Sequence, residues 1–125
     1  MIGSVIDKYE VIRKLGEGGM ATVYHARHLT LHRDVALKVM HPHLSSSELN
    51  RDRFAREART IERLNHKAIL KILDYSGVEG GNCYIVTELI DGLTLKEVLD
   101  NEVSLPSELV AYIGIHLTEA LCYAH

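Results

Sequence analysis

Apolar and polar residues alternate along much of the first part of the chain, and this pattern predicts β-strands. Strand length and β-branched or aromatic content mark residues 9–15, 21–27 and 33–40, with glycine or polar turns between them. Three antiparallel strands are the economical arrangement. Residues 69–75 and 83–88 predict a second strand pair, joined across the turn Glu79-Gly80-Gly81-Asn82. We therefore expect five strands.

Helical signals lie between the two groups of strands and at the end of the chain. Ser45-Ser46-Ser47-Glu48 has the form of a capping box, which predicts a helix from there to about Leu64. A tether at 89–92 leads to a short helix near 95–100, and a longer helix runs from about Pro106 to the end. That last helix has one broad apolar stripe that must be buried against another surface, made of Val110, Ile113, Gly114, Leu117, Ala120, Leu121 and Ala124.

Composition and charge exclude several classes of protein. The chain has 125 residues, of which 46% are hydrophobic and 25% charged, as in one ordinary soluble globular domain. A net charge of −3 carries no nucleic-acid or membrane-surface signal. No apolar run approaches the ~18 residues of a membrane helix, and the first residues lack the basic region of a secretory signal. We expect a cytoplasmic protein.

The cysteines and histidines do not predict a metal site. Cys83 and Cys122 match no metal spacing or redox pair, so both are expected to be reduced and buried. The nearest pair among the eight histidines is His41-Pro42-His43, and it has no third ligand at a suitable spacing.

A glycine-rich turn is the first candidate for chemistry, and its sequence is Gly16-Glu17-Gly18-Gly19-Met20-Ala21-Thr22-Val23. Glycines let a backbone approach a ligand closely and direct its N–H groups at anionic oxygens, because no Cβ intervenes. One lysine, Lys38, follows within the apolar run Val35-Ala36-Leu37-Lys38-Val39-Met40 and supplies a point charge for the same oxygens. Together these features predict a nucleotide-phosphate site.

Periodicity places a carboxylate near that lysine. Side chains alternate along a strand, so Lys38 shares a face with Ala36 and Met40, opposite Val35, Leu37 and Val39. At about 100° per residue, Glu57 falls within the buried arc of its helix, formed by Phe54, Ala58, Ile61 and Leu64. Breaking a buried ion pair costs about 3–5 kcal/mol, so we predict that Lys38 and Glu57 pair. The alternative is a core salt bridge with no ligand, and the glycine turn favours the site.

The residues around the glycines exclude two other nucleotide-binding folds. A dinucleotide-binding fingerprint needs a helix directly after the glycines, yet Thr22-Val23-Tyr24 continues as strand. A phosphate loop of the NTPase kind needs Gly-Lys-Ser or Gly-Lys-Thr, which the sequence lacks. Strand, glycine turn, strand, lysine strand and a helix with an inward glutamate follow one another as they do in protein kinases.

At these residues the chain resembles the N-terminal lobe of eukaryotic-like serine/threonine protein kinases, and most closely the bacterial branch. The matching stretches are 15–24, 35–38, 54–58, 64–66 and 84–88, and the resemblance extends over about 9–125. It implies an α+β fold, a kinase-like N-lobe with a five-stranded antiparallel sheet plus one helix, followed by the first helices of an incomplete C-lobe. The implied boundaries are 1–88 for the ATP-binding N-lobe, 89–92 for the hinge and 93–125 for the start of the C-lobe.

The resemblance also implies a role for each site residue. Leu15 and Val23 would close over the adenine, with Ala36 as the ceiling of its pocket. Backbone from Gly16 to Thr22 would cover the phosphates, and Ala21 stands where the family pattern has its third glycine. Lys38 would bind the α- and β-phosphates, held by Glu57. Thr87 resembles the gatekeeper, and the backbone of Glu88 and Ile90 would bond the adenine edge.

In this family the cofactors are ATP and Mg²⁺, and phosphate passes from ATP to a protein serine or threonine. The His-Arg-Asp catalytic loop, the Asp-Phe-Gly metal ligand and the activation segment would all follow His125, so no magnesium ligand is expected in this chain. We therefore expect a domain truncated before its catalytic loop and inactive alone. The uncovered stripe on the last helix supports the same expectation.

The implied partners are ATP and either a protein substrate or a missing kinase C-lobe. The alternatives are a non-catalytic kinase-like interaction module, or the remnant of a disrupted gene. A module of that kind would associate through its N-lobe, and the exposed final helix also predicts self-association. An arginine row on the first helix would face an acidic partner, although an ordinary solvated helix face explains it as well; the row is Arg51, Arg53, Arg56, Arg59 and Arg63.

Overall fold

A computed structural model describes residues 1–76, 81–101 and 104–125. These residues form two compact units. The first comprises Met1–Arg63 and Leu70–Leu89, and the second comprises Leu64–Ile69 and Ile90–His125. The candidate chemistry of the glycine turn, Lys38 and Glu57 falls entirely within the first unit.

The first unit is built on an antiparallel sheet. Among the described residues its six strands are β1 Val5–Ile6, β2 Tyr9–Glu17, β3 Ala21–His28, β4 Asp34–Met40, β5 Ile72–Ser76 and β6 Tyr84–Glu88. Their order across the sheet is β1-β2-β3-β4-β6-β5, and all neighbours run antiparallel. The five predicted strands are confirmed. The sequence pattern missed β1, because two residues are too few to show an alternation.

Two helices complete the first unit, α1 Pro42–Ser45 and α2 Glu48–Glu62. The predicted capping box at Ser45 is wrong by two residues. Ser47 is the N-cap of α2, and its Oγ accepts a hydrogen bond from the Asn50 N–H at 3.4 Å. Pro42, with its fixed φ, starts a short helix that ends at Ser45, so Glu48 becomes the first residue of α2 rather than its third.

The alternation along β4 is confirmed and separates two buried clusters. Val35, Leu37 and Val39 belong to one cluster, together with Ile6, Tyr9, Val11, Ala26, Tyr84 and Val86. On the other face, Met40 packs with the α2 residues Phe54 and Ala58 and with Ile72, Cys83 and Ile85. The sheet is therefore covered on both faces near β4, and α2 lies on the face that carries Lys38.

Tyrosine hydroxyls tie the start of the sheet to its far edge. Tyr84 donates to Asp7 Oδ2 at 2.6 Å, and Tyr9 donates to Asp74 Oδ2 at 3.3 Å. Burial, helped by the Asp74 carboxylate, raises the pKa of Tyr9 to about 12. Burial and the bond to Asp7 likewise raise the pKa of Tyr84. These bonds fix β2, and so the glycine turn at its end, relative to β5 and β6.

The second unit holds α3 Leu95–Asn101 and α4 Ser107–Ala124. Segment Leu64–Ile69 joins α4 through the Asn65 N–H, which donates to the Tyr123 hydroxyl at 2.8 Å. Much of the predicted apolar stripe of α4 is exposed, with Val110 at 54%, Leu117 at 56% and Leu121 at 60%, while Ala120 is buried. Cys83 is buried as expected, whereas Cys122 on α4 is exposed, contrary to expectation.

Glu79 and Gly80 of the predicted turn lie outside the described residues. Within the part of the chain that is described, no helix combines the length and apolar character needed to span a bilayer.

Leu37→Ala tests the packing of β4. Leu37 is fully buried at the centre of that strand, so the substitution leaves a cavity and is expected to lower the free energy of unfolding by about 2–5 kcal/mol. The control Leu49→Ala, at a position that is 60% exposed, is expected to change it by less than about 0.5 kcal/mol. Urea unfolding followed by circular dichroism measures both; equal effects would contradict the described core.

Candidate nucleotide-binding site

The glycine-rich turn is the tip of the hairpin between β2 and β3. Gly16 pairs with Val23 and Glu17 with Thr22, after a register shift between Lys14 and Gly16. The Gly18 N–H donates to the Ala21 carbonyl at 2.8 Å, which closes the turn. The local sequence therefore makes a tight hairpin whose tip is residues 18–21.

The protein's own packing does not require glycine at this turn. Gly16, Gly18 and Gly19 all avoid the left-handed region of φ. A Cβ added at Gly16 or Gly19 would meet no heavy atom within 4 Å, and at Gly18 it would meet the Ala21 carbonyl at an ordinary 3.8 Å. The missing side chains leave open space over the backbone, which fits close approach by a ligand.

The sheet register aligns the turn with the lysine. Gly16 pairs with Val23, and Val23 pairs with Lys38 on β4. Strands lie about 4.8 Å apart, so the backbones of Gly16 and Lys38 are separated by about 10 Å. On β4, Ala36 lies two residues before Lys38 and pairs with Thr87 on β6. Directly paired residues share a face, so Val23, Ala36, Lys38 and Thr87 all lie on one face of the sheet.

Lys38 and Glu57 do lie together, across the gap between β4 and α2. Lys38 Nζ is 3.9 Å from Glu57 Oε1 and 5.8 Å from the centroid of the Phe54 ring. The expectation that both charges are buried is wrong, since 41% of the Lys38 side chain and 56% of the Glu57 side chain are exposed. The pair lies at the open edge of the gap, where water screens it, so it contributes about 0–1 kcal/mol to stability.

Other residues of the turn differ in how they present their side chains. Leu15 and Met20 are exposed, at 40% and 47%. Ala21 and Thr22 are buried in the protein, so they offer a ligand their backbone alone. Glu17 is paired with Lys14, whose Nζ is 2.6 Å from Glu17 Oε2, and this hydrogen bond lowers the pKa of the Glu17 carboxyl.

The predicted hinge is divided between the two units. Thr87 and Glu88 end β6 in the first unit, where the Glu88 N–H donates to the Lys71 carbonyl at 3.1 Å. That N–H is therefore already used, and the carbonyl of Glu88 is the backbone group left for a ligand. Thr87 Oγ1 also donates to this carbonyl, at 3.2 Å. Ile90 belongs to the second unit and is 65% exposed.

The tripeptide His32-Arg33-Asp34 has the letters of a kinase catalytic loop but leads into β4, whose first residue is Asp34. The Arg27 Nε donates to Asp34 Oδ1 at 3.1 Å, and His25 Nε2 is 3.3 Å from the same oxygen. The pKa of the Asp34 carboxyl is lowered, chiefly by the hydrogen bond from Arg27 and then by the contact with His25. An aspartate held in this way is a poor general base, so the tripeptide is the entry to a strand with an ion pair.

Metal ligands are not gathered at this site. Over residues 1–76, 81–101 and 104–125, no three His, Cys, Asp or Glu side chains are grouped so as to hold a metal ion. The rings of His41 and His43 stack with their centroids 5.7 Å apart.

A glycine turn, a lysine strand and a helix glutamate in this order are typical of protein kinases. The sequence pattern of the protein kinase domain matches residues 9–125, and the chain belongs to that family. The α+β fold class is confirmed, with six strands described where five were predicted.

Bacterial serine/threonine kinases are among the relatives. The serine/threonine-protein kinase pkn3 of Myxococcus xanthus is 39% identical over 118 residues, which cover 94% of this chain and 22% of pkn3. PknB of Mycobacterium tuberculosis is 38% identical over 122 residues, which cover 95% of this chain and 20% of PknB. The chain thus spans about a fifth of the length of these relatives.

A solved structure shows the same fold. The crystal structure of the Mycobacterium tuberculosis PknI kinase domain matches with a TM-score of 0.78 at 31% identity. The match covers 100% of this chain and 51% of the PknI chain, so this chain spans about half of that kinase domain.

Glu57→Gln distinguishes a screened ion pair from a buried one. Because the pair with Lys38 is half-exposed and 3.9 Å long, we expect the free energy of unfolding to change by less than about 1 kcal/mol. Urea denaturation is the measurement. A loss of about 3 kcal/mol or more would show a buried pair instead and contradict the described geometry.

Proposed function

We propose that residues 1–88 are the ATP-binding lobe of a serine/threonine protein kinase, that 89–92 are the hinge, and that 93–125 begin the C-terminal lobe. In the intact kinase the reaction is transfer of phosphate from ATP to a protein serine or threonine. One observation carries the proposal: an open glycine turn lies in sheet register with Lys38, and Lys38 lies beside Glu57.

Lys38 is the proposed phosphate ligand. Its side chain is 41% exposed, and its Nζ lies 3.9 Å from Glu57 Oε1, so the charge is positioned and still accessible to an anion. Glu57 is proposed to orient it. Backbone N–H groups between Gly16 and Thr22 supply the second part of the phosphate site. When bound, ATP supplies the transferred phosphoryl group, and Mg²⁺ neutralises charge on it.

The adenine is proposed to lie on the face of the sheet shared by Val23, Ala36 and Thr87, with Leu15 closing over it. Small or branched apolar groups on that face fit a flat, apolar ring. Thr87 acts as the gatekeeper in this arrangement. Glu88 offers its carbonyl to the adenine edge, and the Ile90 backbone is the other proposed hinge contact.

Catalysis itself is proposed to need residues other than these 125. Lys38 and Glu57 position a nucleotide, whereas phosphoryl transfer also needs a base and metal ligands. The one His-Arg-Asp sequence here leads into β4, and its Asp34 accepts a hydrogen bond from Arg27. The chain by itself is therefore expected to bind nucleotide without transferring phosphate.

The family match favours this function over a non-catalytic interaction module. The arginines of the predicted row, which lie along α2, also differ in their exposure to solvent. Arg53, Arg56, Arg59 and Arg63 are exposed, but Arg51 is half-buried and its guanidinium donates to the Ser45 carbonyl. A solvated helix face with one structural arginine explains the row.

Binding of MgATP by the folded chain tests the proposal. We expect saturable binding in isothermal titration calorimetry, and we expect Lys38→Met to weaken it by at least about tenfold, since one charge-assisted contact of about 1.5–3 kcal/mol is lost. Circular dichroism confirms that both proteins are folded. A folded wild-type chain without saturable binding would overturn the proposal.

A phosphotransfer assay separates binding from catalysis. With a generic protein substrate, MgATP and the purified chain, we expect no transfer. Magnesium-dependent phosphorylation that disappears in Lys38→Met would contradict the proposed division of labour, because the catalytic groups would then lie within these 125 residues.

Gly18→Ala tests why the turn is rich in glycine. The new methyl group meets the Ala21 carbonyl at an ordinary distance, so thermal stability is expected to change little. Affinity for MgATP is expected to fall several-fold, because the methyl group occupies space over the backbone, while adenosine affinity stays the same. The matched control is Gly114→Ala on α4, where an added Cβ meets nothing within 4 Å. Unchanged MgATP affinity in Gly18→Ala would contradict close approach of a phosphate at this position.

A further inference from the structure

His41 is the residue that holds the tip of the glycine turn from outside. It directly follows β4 and makes two hydrogen bonds to the tip. Its backbone N–H donates to the Met20 carbonyl at 2.9 Å, and its side-chain Nε2 lies 2.9 Å from the Gly18 carbonyl. A carbonyl oxygen only accepts, so the imidazole carries a hydrogen on Nε2 and donates it.

The side chain of His41 approaches the tip from the face opposite Lys38. Along β4, Lys38 and Met40 share one face, and the alternation continues into His41, whose backbone is extended at φ −58° and ψ 137°. His41 therefore lies on the same side as Val39, away from the proposed phosphate site.

This bond fixes the direction of a neighbouring N–H group. Gly18 and Gly19 are joined by a trans peptide, in which the C=O and the N–H point in opposite directions. Because the Gly18 carbonyl points at His41, the Gly19 N–H points away from His41, towards the face that carries Lys38. An N–H on that face is directed at the anion that Lys38 is proposed to bind.

We propose that His41 is a positioning residue for the nucleotide phosphates, an inference that rests on the proposed function. Gly18 and Gly19 give the tip great conformational freedom. The entropy that is lost when a nucleotide orders the tip opposes binding. The Gly18–Ala21 bond closes the turn, and Ala21 itself pairs with Met40 of β4. The two bonds from His41 extend this attachment to Met20 and Gly18 and order the tip before a nucleotide binds.

The first test reads the turn without nucleotide. Backbone ¹⁵N order parameters at Gly18, Gly19 and Met20 are measured in the wild-type chain and in His41→Leu, which removes the side-chain bond but keeps the backbone bond. In His41→Leu we expect the order parameters to fall below the wild-type values, towards about 0.6, which is typical of mobile backbone. His41→Gln, whose amide can donate to the same carbonyl, is expected to restore them. The matched control His43→Leu keeps both bonds and is expected to leave them near the wild-type values.

The second test reads the nucleotide. His41→Leu is expected to weaken MgATP binding by roughly 3- to 10-fold, the effect of one net hydrogen bond, and to leave adenosine binding unchanged. His41→Gln again restores the affinity. Wild-type order parameters and wild-type MgATP affinity in a folded His41→Leu overturn the inference. If the wild-type chain itself does not bind MgATP, the proposed function fails, while the order parameters still report separately whether His41 anchors the turn.

Discussion

The register of β4 is the constraint on which the rest of the site depends. This strand pairs with β3 on one side and with β6 on the other. Its register therefore fixes the position of the glycine hairpin and that of β6, which leads to the proposed hinge. Its alternation sends Leu37 into the core and Lys38 towards α2. A slip of one residue would exchange these two side chains, placing an ammonium in the core and an apolar group at the phosphates. Buried Leu37 therefore specifies where Lys38 lies.

Much of the fold can be predicted from local sequence pattern, and the errors of that prediction have local causes. Five strands were predicted because alternation over several residues is a strong signal, whereas Val5–Ile6 is a strand through its pairing with β2 alone. The start of α2 was misplaced because three serines in a row offer equivalent caps. Only the path of the chain after Pro42, which forms an extra turn of helix, selects Ser47.

Features of the site that depend on residue spacing could be predicted from the sequence. Features that depend on contacts between distant segments could not. Period two and helical periodicity bring Lys38 and Glu57 to facing surfaces, but they do not report how far α2 stands from the sheet, so the pair's exposure was missed. His41 was considered only as half of the His41-Pro42-His43 pair, and nothing in that pattern indicated a hydrogen bond to the glycine turn. Its role depends on the fold of the glycine hairpin, which returns the Gly18 carbonyl to it from 23 residues earlier in the chain.

The central claim is that ATP binds on the Lys38 face of the sheet, over the glycine turn. The most direct measurement is a ¹⁵N–¹H correlation spectrum of the chain titrated with Mg²⁺ and a non-hydrolysable ATP analogue. We expect saturable shifts concentrated at the amides of residues 16–23 and around Ala36, Lys38 and Glu88. Shifts confined to α4, or a folded spectrum that the analogue does not change, would contradict it.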